Sequence, residues 1–397
     1  MEVSFGMVGV NWQIYATTPP KKQDLFARPR AYWLDITPPP SYTIPMLKQV
    51  SVRYFTRFGD KTRPFGFARG INVFVGENGT GKSHLLKLLY ANLKALQHTR
   101  EAPELPTKTY LETTIAQRLK GVFMPDSLGR LAQRQRGNSR AQVDMEADDI
   151  SLGYSFSTQS SANVVLDTAP VYWWKNTCIF IPTRELLSIF PGFLARYEER
   201  QTPYEETWRD LAILLGDAAL RGPHSEFVQA VLSALEDALG GKVVLEDGRF
   251  YISQNNKGYI EAHLLAEGLR KIGMVAQLVA NGSLKPGSVL FWDEPEASLN
   301  PSLIRKLAAV IVALARQDVQ VFLATHSLFL MREISLLTET PDARRGDVKY
   351  FSLRNVSGSP SVAVEQGASL SSMRSIASFT QQLDQDVRLI DFLSHEQ

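Results

Sequence analysis

Apolar positions along the chain fall into short runs broken by glycine and proline, and the spacing inside each run predicts an element. Met46 to Phe55 alternates as a strand does. Ile71 to Val75 is a short β-branched run followed at once by a glycine-rich turn. Leu85, Leu88, Leu89 and Leu93 then recur at helical spacing, which predicts a helix over 84–96. Residues 100–175 show less pattern, except that Ile150, Leu152, Tyr154 and Phe156 alternate with Ser151, Gly153, Ser155 and Ser157, a strand with one buried face. Cys178 to Ile181 is a further apolar strand, stopped by Pro182. Residues 186–240 read as a cluster of helices ending at Gly240-Gly241, where glycine suits a left-handed cap. A hairpin follows, with Val243 to Leu245 and Phe250 to Ile252 joined by Asp247-Gly248. Beyond it come a helix near 264–280, a strand at 288–292, a helix at 301–316 and a strand at 319–324. Such alternation builds a mostly parallel α/β sheet with helices on its faces.

Composition narrows the picture. The chain has 397 residues, 43 basic against 41 acidic, for a net charge of +2. That balance is no electrostatic footprint for nucleic acid by itself. The longest apolar run, Leu307 to Ala315, falls far short of the ~20 residues needed to span a bilayer. The N-terminus, acidic at Glu2, lacks the pattern of a signal peptide, so the expectation is a cytoplasmic protein with no membrane partner. A lone cysteine, Cys178, excludes an internal disulfide framework and a cysteine-based zinc site. Residues 1–45, with Pro19, Pro20, Pro38 to Pro40 and Pro45, read as an irregular arm.

Three polar tips stand at the ends of apolar strands. Gly76-Glu77-Asn78-Gly79-Thr80-Gly81-Lys82-Ser83 matches the P-loop pattern between a predicted strand and a predicted helix. Glycines there let backbone N–H groups approach phosphate oxygens, and the helix start adds its positive end. Asn78, Gly79, Thr80, Gly81, Lys82, Ser83 and the following His84 are therefore the nucleotide-binding candidates. Lys82 would reach the β- and γ-phosphates, and the Ser83 hydroxyl would hold Mg²⁺. Val289 to Trp292 ends in Asp293-Glu294, two carboxylates that are costly at a strand end unless something cationic sits there. This strand is expected to lie beside the P-loop strand, with Asp293 reaching the metal shell and Glu294 placed to take a proton from an attacking water. Val321 to Thr325 delivers His326 to the same sheet edge, where α/β folds gather their ligands.

Together these residues resemble the ATP-binding-cassette type of P-loop ATPase, in the branch containing Rad50, RecF and OLD-type enzymes. Asp293 to Pro301 looks like its Walker B motif and D-loop, Ala324 to Ser327 like its switch-histidine loop, and Leu265 to Lys271 like the start of its signature helix. The resemblance implies a P-loop core with a mostly parallel sheet, an antiparallel β subdomain and an inserted helical lobe. It implies domains of 46–185 and 264–397 for the two parts of the core and 186–263 for the lobe. It also implies ATP and Mg²⁺ as cofactors, Glu294 and His326 as catalytic residues, Ser83 and Asp293 as metal ligands, and a head-to-tail homodimer in which Gly268 of one copy faces the nucleotide of the other. More narrowly, the chain is similar to stand-alone AAA-family ATPases of antiphage systems of the Septu, PARIS and retron-associated kinds. That similarity implies a nucleotide-driven switch or scaffold for a separate effector, a nuclease or toxin. The alternative is a DNA repair or recombination ATPase that binds DNA directly.

Two departures from the family pattern imply slow turnover. Ala266 stands where the signature serine is expected, and no glutamine follows strand 178–181, the nearest polar candidate for its role being Arg184. Among the remaining features, Tyr54, Phe55 and Phe58 read equally as an adenine cover or as core. Trp173-Trp174 reads as packing beside Tyr172, and Arg130, Arg134, Arg136 and Arg140 as a solvated face. Asp384 and Asp386, spaced as a nuclease metal pair, read as an exposed helix face.

Overall fold

The computed structural model describes residues 45–392, apart from 100–101, 135–138, 149, 200–202, 221, 223–224, 255–257, 340–346, 375, 377–378, 380, 383 and 389–391. The Pro-containing arm over 1–44 and Arg136 lie outside the described residues.

In chain order the elements are β1 (Leu47–Arg53), β2 (Phe65–Gly66), β3 (Ile71–Gly76), α1 (Lys82–Ala95), α2 (Lys108–Phe123), β4 (Arg140–Ala147), β5 (Ile150–Ser157), β6 (Val165–Thr168) and β7 (Cys178–Ile181). Then come α3 (Phe193–Glu198), α4 (Glu206–Gly216), α5 (Glu226–Leu239), β8 (Lys242–Glu246), β9 (Arg249–Gln254) and β10 (Gly258–Glu261). The chain continues with α6 (Glu267–Ala280), β11 (Val289–Asp293), α7 (Pro301–Arg316), β12 (Gln320–Thr325), α8 (Leu328–Thr338), β13 (Val348–Asn355) and β14 (Val362–Gly367).

The central sheet runs β14-β13-β3-β12-β11-β7. Its pairs are parallel except for the antiparallel β13–β14 edge. Strands β3, β7, β11 and β12 are buried along their whole length, which is why they read as continuous apolar runs rather than alternating ones. One expectation is corrected here. The strand ending in Asp293 does not lie beside the P-loop strand, because β12 is inserted between them, pairing Leu323 with Val73 on one side and with Trp292 on the other. The three polar tips still leave neighbouring strands at the same carboxyl edge.

A second, antiparallel sheet, β2-β1-β4-β5-β6, packs over α1 and α2 in an apolar cluster that includes Phe55, Phe58, Leu89, Tyr154 and Phe156. Gln320 ties this sheet to the central one. From the start of buried β12, its Oε1 accepts from the Leu47 N–H at 2.9 Å, and its Nε2 donates to the carbonyls of Leu47 at 2.8 Å and Ala68 at 2.9 Å.

Helices α3 to α5 and the small sheet β10-β9-β8 pack on the other side of the central sheet, in a cluster shared with α6, α7 and α8. Gly240 closes α5 at φ 71°, and Asp247 (φ 47°) with Gly248 (φ 71°) turns β8 into β9. All three are left-handed positions, and glycine fills two of them. The predicted hairpin gains a third strand, β10. Helix α4 is tied to the P-loop helix by acids facing bases: Lys87 meets Glu205, Tyr90 Oη donates to Asp210 Oδ2 at 2.7 Å, and Arg118 of α2 meets Glu206. Cys178 is buried, which pushes its thiol up to about 12 and leaves it unreactive at neutral pH. Among the described residues no helix is long and apolar enough to cross a membrane.

Candidate functional site

The loop between β3 and α1 is shaped by glycines at positive φ, Gly76 (153°), Gly79 (77°) and Gly81 (94°). At Gly76 a Cβ would come within 2.3 Å of the Leu353 carbonyl oxygen, so no side chain fits. Asn78 and Gly79 are exposed at the tip, whereas Thr80 is buried and donates to the Glu77 carbonyl at 2.8 Å. Lys82 reaches back across the loop, its Nζ donating to the carbonyls of Gly76 at 2.7 Å and Glu77 at 3.0 Å. Burial pulls its ammonium below the ordinary lysine range, against the opposing pull of Glu294, Asp293 and Glu296. His84 sits edge-on to Phe123, and partial burial with Lys87 and Arg57 nearby lowers its affinity for a proton.

Ser83 Oγ donates to Asp293 Oδ1 at 3.0 Å. Burial pushes the Asp293 carboxyl above the usual carboxylate range; the Ser83 hydrogen bond pulls it down, Glu294 adds to the rise, and Lys87 and Lys82 pull it down further. A buried carboxylate beside a serine hydroxyl is a hard-oxygen pair suited to Mg²⁺, which takes one or two protein ligands and completes its shell with phosphate oxygens and water. Among the described residues no cluster of three or more His, Cys, Asp or Glu side chains could hold a metal alone. The donor set therefore fits Mg²⁺ bound together with a phosphate ligand.

After Asp293 the backbone turns sharply. Glu294 (φ 47°) and Ser298 (φ 66°) are left-handed without being glycine, a strain of about 1–3 kcal/mol each that recurs at functional sites. The Glu294 N–H donates to the Ala324 carbonyl at 2.8 Å, and its Oε1 lies 3.3 Å from His326 Nδ1. The loop, the two carboxylates and the imidazole thus meet at one edge of one sheet.

Helix α6 begins at Glu267 with Ala266 as its N-cap, and Ala266 supplies no side-chain hydrogen bond. Gly268 packs against its own chain: a Cβ there would fall 2.4 Å from the Ser298 carbonyl oxygen and 2.7 Å from Leu299 Cδ2. Lys271, fully buried one turn on, donates to the Ala297 carbonyl at 3.0 Å, and burial lowers its affinity for a proton. Arg184 is exposed, while its neighbour Glu185 is buried and accepts from Arg270 Nε at 2.7 Å. The segment after β7 is thus held to α6 by an ion pair where a glutamine was sought.

Several residues outside the loop fall where one of the sequence readings put them. Phe55 and Phe58 are fully buried in the core and cannot cover a base. Trp173 and Trp174 are buried, and Trp173 Nε1 donates to the Glu104 carbonyl at 3.0 Å. Asp384 is exposed and pairs with Arg388. Sequence reasoning missed Glu296, Lys271, and the trio at the loop mouth in which Arg57 Nη2 donates to Asn355 Oδ1 at 2.7 Å and Asn355 Nδ2 to Glu77 Oε2 at 3.4 Å. The run Asp-Glu-Pro-Glu was the available signal for Glu296; nothing local marked the others.

The fold is that of an SMC head. An SMC head bound to the C-winged helix domain of ScpA aligns with a TM-score of 0.52 at 13% identity, over 82% of this chain and 98% of that one. An SMC head with an extended coiled coil, bound to the C-terminal domain of ScpA from Pyrococcus furiosus, gives 0.47 at 12% identity over 87% and 100%. The SMC head from Thermotoga maritima gives 0.43 at 15% over 81% and 98%. At 13% identity the first likeness shows fold and nothing more. A family model described as "AAA domain, putative AbiEii toxin, Type IV TA system" matches residues 190–332, a stretch that holds α6, Asp293, Glu294 and His326 but not the phosphate loop. No curated protein matches the sequence.

Proposed function

We propose that the chain is an ATPase that binds Mg²⁺–ATP on the 76–83 loop and hydrolyses it slowly. Backbone N–H groups from Asn78 to Ser83 and the Lys82 ammonium bind the phosphates, and Lys82 exchanges its carbonyl partners for phosphate oxygens. His84 lies one residue beyond and lines the loop's helical side. Ser83 and Asp293 would hold Mg²⁺, which would supply charge neutralisation to the bound phosphates. Glu294 takes the proton of the attacking water, and His326 orients Glu294. The observation that carries this reading is the convergence of Ser83 with Asp293 at 3.0 Å and of Glu294 with His326 at 3.3 Å on one sheet edge.

Two copies would close head to tail on two nucleotides, with Gly268 at the seam, a two-fold assembly of identical surfaces. Ala266 brings no hydroxyl to that seam, which supports slow turnover in a switch or scaffold rather than a fast motor. The toxin and TA-system description of the family matching 190–332 supports a role beside a separate effector, a nuclease or toxin, in antiphage defence. The second reading, a repair ATPase that binds DNA, draws on the SMC-head fold and on exposed Arg130, Arg134 and Arg140.

The test is Mg²⁺-dependent ATP binding and phosphate release by the full chain, beside Lys82→Ala. Loss of binding in the variant is expected, and equal binding by both proteins would remove the phosphate loop from the reading. ATPase stimulated by DNA and abolished by salt favours the second role; a co-purifying effector favours the first.

A further inference from the structure

Glu296 is the acid of the 293–296 run to which the reading above gives no task. Its side chain is only 6% exposed, and Oε2 is buried with no hydrogen-bond partner. Oε1 is crowded instead. It accepts from Thr325 Oγ1 at 2.6 Å, from the Ser327 N–H at 3.3 Å and from the His326 N–H at 3.4 Å, and it lies 3.8 Å from His326 Nδ1. Donors from three consecutive residues thus converge on one oxygen.

A buried carboxylate is expensive unless hydrogen bonds or charges compensate it. Capping α8 does not explain this one, because the Ser327 hydroxyl already caps that helix by accepting from the Leu330 N–H at 3.2 Å. Glu296 grips the turn before the helix, the turn that aims the His326 ring. Left-handed Glu294 and Ser298 lie on either side, and two turns follow each other, with the Ala297 N–H donating to the Glu294 carbonyl and the Leu299 N–H to the Glu296 carbonyl. They let Glu294 stay at the site edge while Glu296 points back into the sheet.

We infer that Glu296 is a positioning residue that clamps the 325–327 turn, so that His326 Nδ1 faces Glu294 and holds that carboxylate in line for a water. The inference rests on the ATPase reading for its functional consequence, but the clamp itself can be measured without turnover.

In the full chain, Glu296→Ala removes the acceptor. The expected result is a kcat lower by about 10- to 100-fold, the scale of a small misplacement at a reacting centre. Affinity for a fluorescent ATP analogue with Mg²⁺ should stay within about threefold, since ground-state binding is untouched. Glu296→Gln keeps one acceptor oxygen and should restore most of the rate. Thr325→Val deletes the 2.6 Å bond alone and should be non-additive with Glu296→Ala. Amide hydrogen exchange in a peptide covering 325–331 should speed up in Glu296→Ala while β11 stays protected. Wild-type turnover by Glu296→Ala, a parallel fall in affinity and rate, or unchanged exchange at 325–331 each overturns the inference. If Glu296→Ala does not fold, Thr325→Val decides on the same readouts. A wild-type chain that binds no ATP defeats the ATPase reading instead, and the exchange measurement still judges the clamp.

Discussion

Ser83 Oγ donates to Asp293 Oδ1 across 3.0 Å, although 210 residues separate the two in sequence. The contact joins the first turn of α1 to the tip of β11, and burial raises the Asp293 proton affinity there. A carboxyl whose folded-state pKa is raised makes the folded chain bind more protons than the unfolded one, so stability falls as pH rises through that window. The cost is absent below the ordinary aspartate value of 3.8 and complete above the raised one. Asp293→Asn should therefore melt higher than wild type at pH 7 without nucleotide or Mg²⁺, by about 2–4 °C for each 1 kcal/mol relieved. The advantage should shrink on acidification. The same variant should lose the Mg²⁺-dependent thermal shift given by ATP, and calorimetry with and without Mg²⁺ checks both.

Glu294→Gln keeps shape and removes the carboxylate proposed as the base. Turnover should fall by about 10²–10⁴-fold, the usual contribution of a general base, with nucleotide affinity retained. The ATP-bound protein should elute as a dimer in size-exclusion chromatography. His326→Ala should slow turnover to a smaller extent, because its proposed role is to orient Glu294, 3.3 Å away.

Gly268→Ala puts a methyl group 2.4 Å from the Ser298 carbonyl oxygen. The backbone must move, at a cost of about 1–3 kcal/mol typical of overpacking. Hydrolysis should fall while ATP binding to the isolated chain is unchanged, because the clash lies at the turn after Glu294 and not at the phosphate loop. Chemical denaturation and a nucleotide titration separate the two effects.

Gln320→Leu strips three hydrogen bonds from the junction of the two sheets and leaves the Leu47 backbone groups buried without them, while the Ala68 carbonyl keeps Asn72 Nδ2 at 3.0 Å. The expected loss is about 2–3 kcal/mol, the scale of unsatisfied buried groups. Affinity for ATP should be unaffected, since the residue stands at the opposite end of β12 from His326.

The three polar tips were legible because each is a short motif at the end of an apolar strand. The order of the strands was not. Inserting β12 between β3 and β11 depends on pairing partners some 250 residues apart in the chain, as in Val321 with Ile71, which local pattern does not encode. The same limit hid β13, which pairs in parallel with β3 from a stretch that reads as a short tail. Phe55 and Phe58 offered aromatic rings at a plausible spacing, but only the overlying sheet decides that they face the core. Lys271 would be read as a solvent-facing base in an amphipathic helix, and its burial follows from an acceptor 26 residues further on. Antiparallel β4, missed among the weakly patterned residues 100–175, alternates clearly once Met145 and Val143 are seen to face α1 and α2.

The pairing of Asp293 with Ala324 has a consequence for how this chain can vary. Successive residues of a strand point to opposite faces, so a slip of a single position between β11 and β12 would exchange the stations of the two acids and aim the imidazole at neither. Surface connections can lengthen or shorten at little cost, but an insertion or deletion inside either strand would pull apart the acids and imidazole of the proposed site while leaving most of the core packed.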